Sequence, residues 1–221
     1  MTFSILAQDP ETGAIGGAAA TGSLCVGGWV LRGDLDAGMS ASQGASPSTF
    51  WGEDVLALMR RGVTAEDAVG RITSADAGRR FRQLSALDLK GGASAFTGDA
   101  NKDKKGAIIL DRAVVAGNML TSPDVLRAMA DGFEGATGGF DMRLLAALTA
   151  ARDAGGDFRG LLSTALLVLR PDKPPLNLRI DHDDHDPVGA LTRLHGRATS
   201  GDYARWTELV PVQSDTERGI D

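Results

Sequence analysis

The sequence predicts a layered α+β sandwich with antiparallel sheets, and three observations carry that expectation. Strand-like and helix-like segments come in groups, as strands, two helices, strands, two helices, strands and one helix; a parallel doubly wound fold would alternate them singly. Short apolar runs are joined by turn residues at hairpin spacing. Glycine supplies 29 of 221 residues while aromatic residues make up only 5%, a balance that suits closely packed layers and tight connections.

The first hairpin joins Thr2–Ala7 to Ala14–Ala20 through Asp9-Pro10-Glu11-Thr12-Gly13, whose Pro and Gly supply the fixed and the positive φ of a tight connection. A glycine-rich passage runs to Gly33, and Ala37–Ser42 alternates as a third strand. Helical periodicity follows from Pro47 to Gly62, with Val55, Leu56 and Met59 on one face. A second helix opens at Thr64, where Asp67 stands three residues on. Gln83–Asp88 and Ala93–Phe96 form another hairpin, Gly98–Gly106 a charged loop, and Ala113–Gly117 a further strand. Ser122-Pro123-Asp124 starts a helix carrying Leu126, Met129 and Phe133, and its partner runs from about Asp141 to Ala154. Leu161–Leu169 is almost unbroken apolar sequence, as in a strand covered on both faces. Leu176–Ile180 returns beside it, and a last helix starts at Asp186-Pro187.

Length and composition suit one domain over residues 1–210, with 211–221 as a polar, frayed tail. The net charge of −6 argues against binding nucleic acid, which needs clustered Lys and Arg to displace counterions. Neither a signal sequence nor an apolar run of membrane-spanning length is visible, so the expected location is the cytoplasm, away from membranes. The one cysteine, Cys25, lies in an apolar glycine-rich segment and reads as a small packed hydrophobe.

Several residues invite a chemical reading. Loss of Met1 would leave Thr2 with a hydroxyl and a free α-amine, and an amine titrating at about 7.7–8.0 can serve as the general base for its own hydroxyl. Thr2 reads equally as a β-branched residue opening a strand. Gln43-Gly44 and Asn118 stand at strand ends, where an amide and a nearby glycine suit either an oxyanion donor or a turn. Asp157 and Arg159, two apart ahead of Ser163, suit a clamp for a carboxylate or an exposed ion pair. The run Asp181-His182-Asp183-Asp184-His185-Asp186 resembles a metal site in composition alone. Its spacing matches no standard ligand set and Asp186-Pro187 serves as a helix cap, so no metal and no cofactor is expected. His195 is expected either to pack in the last helix or to lie on its surface.

Met1-Thr2-Phe3-Ser4-Ile5 with Gln8-Asp9-Pro10-Glu11-Thr12-Gly13, Gly117-Asn118, Gly155-Gly156-Asp157-Phe158-Arg159-Gly160 before Ser163-Thr164-Ala165, and Leu178-Arg179-Ile180-Asp181 with Asp186-Pro187 resemble, in that order, an uncharacterised bacterial family catalogued as domain of unknown function 1028. The resemblance implies the four-layer αββα sandwich of the N-terminal nucleophile hydrolases. With the residues above, this leads to the expectation of an amidohydrolase for a small amide or peptide-like substrate, with Thr2, Asn118 and Gln43 as catalytic residues and Asp157, Arg159, Ser163 and Gly44 contacting substrate. The alternative is a catalytically silent ligand-binding or structural homo-oligomer with the same fold. Expected partners are a small-molecule amide, as substrate or ligand, and further copies of the chain. The sequence departs from the family pattern at Ala20-Thr21-Gly22 and in the loop after Phe96-Thr97-Gly98, both expected near the pocket.

Overall fold

The computed structural model describes residues 2–219; Met1, on whose removal the Thr2 reading turns, and the last two residues of the tail lie outside them. The chain forms β1 (Thr2–Gln8), β2 (Ile15–Thr21), α1 (Val26–Trp29), β3 (Leu31–Asp34), β4 (Gly38–Gly44), α2 (Thr49–Arg60), α3 (Ala65–Ser74), β5 (Arg82–Asp88) and β6 (Ala93–Thr97). There follow β7 (Gly106–Leu110), β8 (Ala113–Asn118), α4 (Asp124–Gly135), α5 (Phe140–Asp153), β9 (Ser163–Arg170), β10 (Lys173–Ile180), α6 (Pro187–Ala198) and α7 (Gly201–Thr207).

Two sheets result, one in the order β10-β9-β2-β1-β8-β7 and one in the order β3-β4-β5-β6. Every strand pairing within them is antiparallel. Strand periodicity assigns the layers, because successive side chains leave opposite faces. Phe3 and Ile5 of β1 pack outward with Met129, Leu144 and Leu148 of α4 and α5 and Leu191 of α6. Leu6, on the other face of β1, meets Ile15, Met39 and Leu87 between the sheets. On the far side of the smaller sheet, Leu84 and Ala86 pack under Trp51, Val55 and Val69 of α2 and α3. Each such fully buried aliphatic or aromatic side chain contributes about 1.5–3 kcal/mol through apolar burial.

The helix starts follow their local signals. Thr64 accepts the Asp67 N–H at 3.2 Å, Ser122 accepts the Asp124 N–H at 3.0 Å, and Asp186 accepts the Gly189 N–H at 2.9 Å with Pro187 at the first helical position. Elements beyond those expected from the sequence are α1, β3, β7 and α7. Helix α1 reads VGGW, a poor helix former, and is held by packing: a Cβ on Gly27 would stand 2.8 Å from both Ala165 Cβ and Arg179 Cγ.

The tail corrects one expectation. Over its described residues it is docked, not frayed: Val212 is buried, the Ser214 N–H donates to Pro171 O at 2.9 Å, and Gln213 Nε2 donates to Asp36 Oδ1 at 3.1 Å. Among the described residues no helix is long and apolar enough to cross a membrane.

Candidate active site

One end of the space between the sheets is polar. Ser163, Thr21, Thr2 and Asn118 stand side by side in register across β9, β2, β1 and β8. Facing them, Gln43, Gln83 and Thr97 are in register across β4, β5 and β6. Apart from Thr97 all of these are buried, Thr2 the most accessible at 8%.

Hydrogen bonds tie the two rows together. Gln43 Nε2 donates to Gln83 Oε1 at 2.7 Å, Asn118 Nδ2 donates to the same oxygen at 3.0 Å, and Ser4 Oγ donates to Gln43 Oε1 at 2.9 Å. Gln83 Nε2 lies within hydrogen-bond reach of Thr97 Oγ1, Gly106 O and Gly117 O, at 2.8, 3.0 and 2.9 Å. The Gln43 amide also approaches Thr2 O, at 3.4 Å. Gln83 thus joins strands of both sheets at the level of Thr2. Asn118 Oδ1 is buried with no hydrogen-bond partner among the described residues.

Thr2 is the first residue of β1, and its hydroxyl donates to Thr21 Oγ1 at 3.2 Å. Both line a cleft of about 320 Å³ together with Gln43, Gly44, Met119 and Arg159. Leu24, Val26, Trp29, Val30 and Pro47 supply an apolar wall. Two non-glycine residues beside the cleft adopt the left-handed conformation, Met119 (φ 58°) and Cys25 (φ 59°). Such strain persists only where the surroundings enforce it, and it clusters at functional sites.

Asp157 and Arg159 act as a unit. The Asp157 carboxylate is wholly buried and accepts the Gly22 N–H at 2.6 Å, the Arg159 N–H at 2.8 Å and the Arg159 guanidinium at 3.0 and 3.3 Å. Gly22 makes this approach possible, since a Cβ there would lie 2.5 Å from Gly160 O and 2.6 Å from Asp157 Oδ2. Arg159 emerges into the cleft with 36% of its side chain exposed and its Nη2 3.3 Å from Ser23 Oγ.

Of the residues singled out in the sequence, Thr2, Gln43, Gly44 and Arg159 meet at this cleft; Asp157, Asn118 and Ser163 lie behind its surface. Ser163 Oγ donates to Ser23 O at 2.7 Å and accepts the Val26 N–H at 3.1 Å, fixing the loop that leads into α1. Thr21 lies in the Ala20-Thr21-Gly22 segment expected near the pocket, and register sets it beside Thr2; Gln83 carried no motif of its own and became visible only through strand register. A larger cleft, of about 670 Å³, lies by β10 and the C-terminal helices and contains none of these residues.

The acidic cluster after β10 is a capped turn. Asp183 accepts the backbone N–H groups of His185 and Asp186, which hold its carboxyl below the usual carboxylate range, and His182 Nε2 lies 3.1 Å from Asp184. His195 is buried and tied to Asp141 at 2.6 Å, joining α6 to α5. The hydrogen bond from His195 lowers the Asp141 pKa against the opposing effect of burial.

A family model covers most of the chain: the family of unknown function DUF1028 matches residues 2–191. The chain belongs to this family. The crystal structure of a DUF1028 protein from Silicibacter pomeroyi is similar over 100% of this chain and 99% of its own, at 60% identity and a TM-score of 0.96. Anbu (ancestral beta-subunit) from Yersinia bercovieri aligns with 90% of this DUF1028 chain and 94% of its own, at 11% identity and a TM-score of 0.40, a likeness too distant to carry an argument. No curated protein matches.

Proposed function

We propose that this DUF1028 protein is an amidohydrolase of the N-terminal nucleophile type, in which the two sheets and their flanking helices form an αββα sandwich and Thr2 is the nucleophile once Met1 is removed. The observation that carries the reading is the position of Thr2. It opens a central strand, lies in the wall of a cleft, and has its hydroxyl on that of Thr21.

In this mechanism the Thr2 hydroxyl adds to the amide carbonyl carbon and its proton passes to the Thr2 α-amine. The C–N bond breaks as the departing amine takes that proton, leaving an acyl ester on Oγ1 that water hydrolyses. Gln43 and Asn118 each donate one amide hydrogen to Gln83, and Gln43 also approaches Thr2 O at 3.4 Å, so this network holds the strand end that carries Thr2, and the second N–H of Asn118 is the donor left for an oxyanion. The Asp157–Arg159 pair fixes the loop from Gly22 to Ser23, which borders the same cleft.

The test combines intact mass with kinetics. Protein from its own cells should lack Met1, and amine release from a panel of N-acetyl amino acids and their amides should follow. Thr2→Ala should lower turnover by at least about 10³-fold, and activity should rise with pH as the α-amine deprotonates around 7.7–8.0. Retention of Met1, or equal turnover by Thr2→Ala, refutes the assignment.

A further inference from the structure

The charges around the cleft are arranged unevenly. Arg159 is the one charged side chain among its described lining residues. Its counter-ion does not share the cleft: Asp157 is wholly buried behind it, with both carboxylate oxygens accepting from Gly22 and Arg159. The guanidinium is thus the partner that reaches the cleft, 36% exposed, while direct contact with the carboxylate is closed off. Removal of Met1 would add the α-amine of Thr2, partly protonated at neutral pH, to the same space. Leu24, Val26, Trp29 and Val30 form an apolar wall beside the uncharged polar side chains of Thr21, Ser23 and Gln43; Leu24 and Trp29 are each 53% exposed, and Phe158, next to Arg159 in the chain, is 59% exposed. At about 320 Å³ the cleft sits at the small end of ligand pockets, which run from about 300 to 1,000 Å³.

A small space with one guanidinium, the Thr2 hydroxyl, the neutral polar groups of Thr21, Ser23 and Gln43, and an apolar wall is complementary to a small amphipathic anion. We infer that the cleft takes N-acyl amino acids with apolar side chains: the carboxylate on Arg159, the side chain against Leu24, Trp29 and Val30, and the acyl carbonyl at Thr2. The placement of the carbonyl rests on the hydrolase reading; recognition of the carboxylate does not. Hydrolysis would transfer the acyl group from nitrogen to Thr2 Oγ1 and then to water, releasing a free amino acid and the acyl carboxylic acid.

The experiment uses Thr2→Ala protein, so that no turnover intervenes, and titrates it by calorimetry with N-acetyl-L-leucine, N-acetyl-L-leucinamide and N-acetylglycine. The leucine acid should bind at least about tenfold tighter than its amide, with an advantage that shrinks as salt is raised. It should also bind about tenfold tighter than N-acetylglycine, which lacks the apolar side chain. Arg159→Met, confirmed as folded by circular dichroism, should reduce the acid to the affinity of the amide. The comparison of acid with amide needs no change at Arg159 and stands if that variant does not fold. Equal binding of acid and amide, or binding of the amide alone, overturns the inference. If the acid binds as expected but processed wild-type protein does not cleave it, the hydrolase reading falls and carboxylate recognition survives; cleavage of uncharged amides only has the reverse meaning.

Discussion

The space between the two sheets has two unlike ends. At one, Leu6, Ile15, Met39, Leu87 and Leu169 meet as an apolar core. At the other, Thr2, Ser4, Thr21, Gln43, Gln83, Asn118 and Ser163 are equally buried and polar. Hydrophobic burial accounts for the first. The second is held by directional bonds, because a buried amide left without a partner costs about 1–3 kcal/mol. An apolar filling would serve packing alone at less risk, so the polar end marks where the fold gives up simple packing for a site. The cleft opens there, beside Thr2 and Arg159.

The largest expected effect comes from the ion pair under the cleft. Asp157→Ala leaves the Gly22 N–H and the Arg159 guanidinium without their acceptor and should cost about 3–5 kcal/mol, as for a broken buried pair; because Arg159 is 36% exposed, water recovers part of this and the lower figure applies. Urea unfolding measures it, and a loss under about 1 kcal/mol would reduce the pair to a surface contact.

Gln83→Leu should cost about 2 kcal/mol by removing the acceptor shared by the amides of Gln43 and Asn118. This substitution tests the contrast between the two ends most directly. If the leucine variant unfolds at the same or higher denaturant concentration, the polar end is as replaceable as any core and the contrast fails.

His195→Ala lies outside both ends and calibrates them. It should cost about 1.5–3 kcal/mol at neutral pH through loss of a hydrogen bond to the Asp141 carboxylate. The folded Asp141 pKa lies below its unfolded value of about 3.9, so the stability this pair supplies is present above that value and is lost as pH falls through the folded pKa. The gap between variant and wild type should therefore close on acidification below pH about 4. A gap independent of pH would assign the role of His195 to packing.

The smallest effect belongs to the apolar end. Ile15→Val removes one methyl group from a fully buried side chain and should cost about 0.5–1.5 kcal/mol, with activity unchanged. Lost activity with stability in that range would show that the two ends are coupled and would blunt the distinction between them.

Local signals sufficed for the first hairpin, for the helix starts at Thr64, Ser122 and Asp186, and for the apolar strand after Leu161, because caps, turns and periodicity act within a few residues. They also sufficed to single out Thr2, since a hydroxyl residue directly after Met1 is legible in the sequence alone. Helix α1 and strands β3 and β7 did not stand out: VGGW and LRGD have little propensity to speak for them, α1 is held by Ala165 and Arg179 far along the chain, and β3 and β7 are ordered as hairpin partners of the strands that follow them, β4 and β8. The same holds for the site. Gln83 reads as one more strand residue, and Thr21 only as part of a segment near the pocket, until register sets Thr2 between Thr21 and Asn118 and sets Gln83 against Gln43. A cleft assembled from β1, β2, β4, the turn at Met119 and the loop at Arg159 exists only when two sheets face each other, since no local rule states which polar ends will meet.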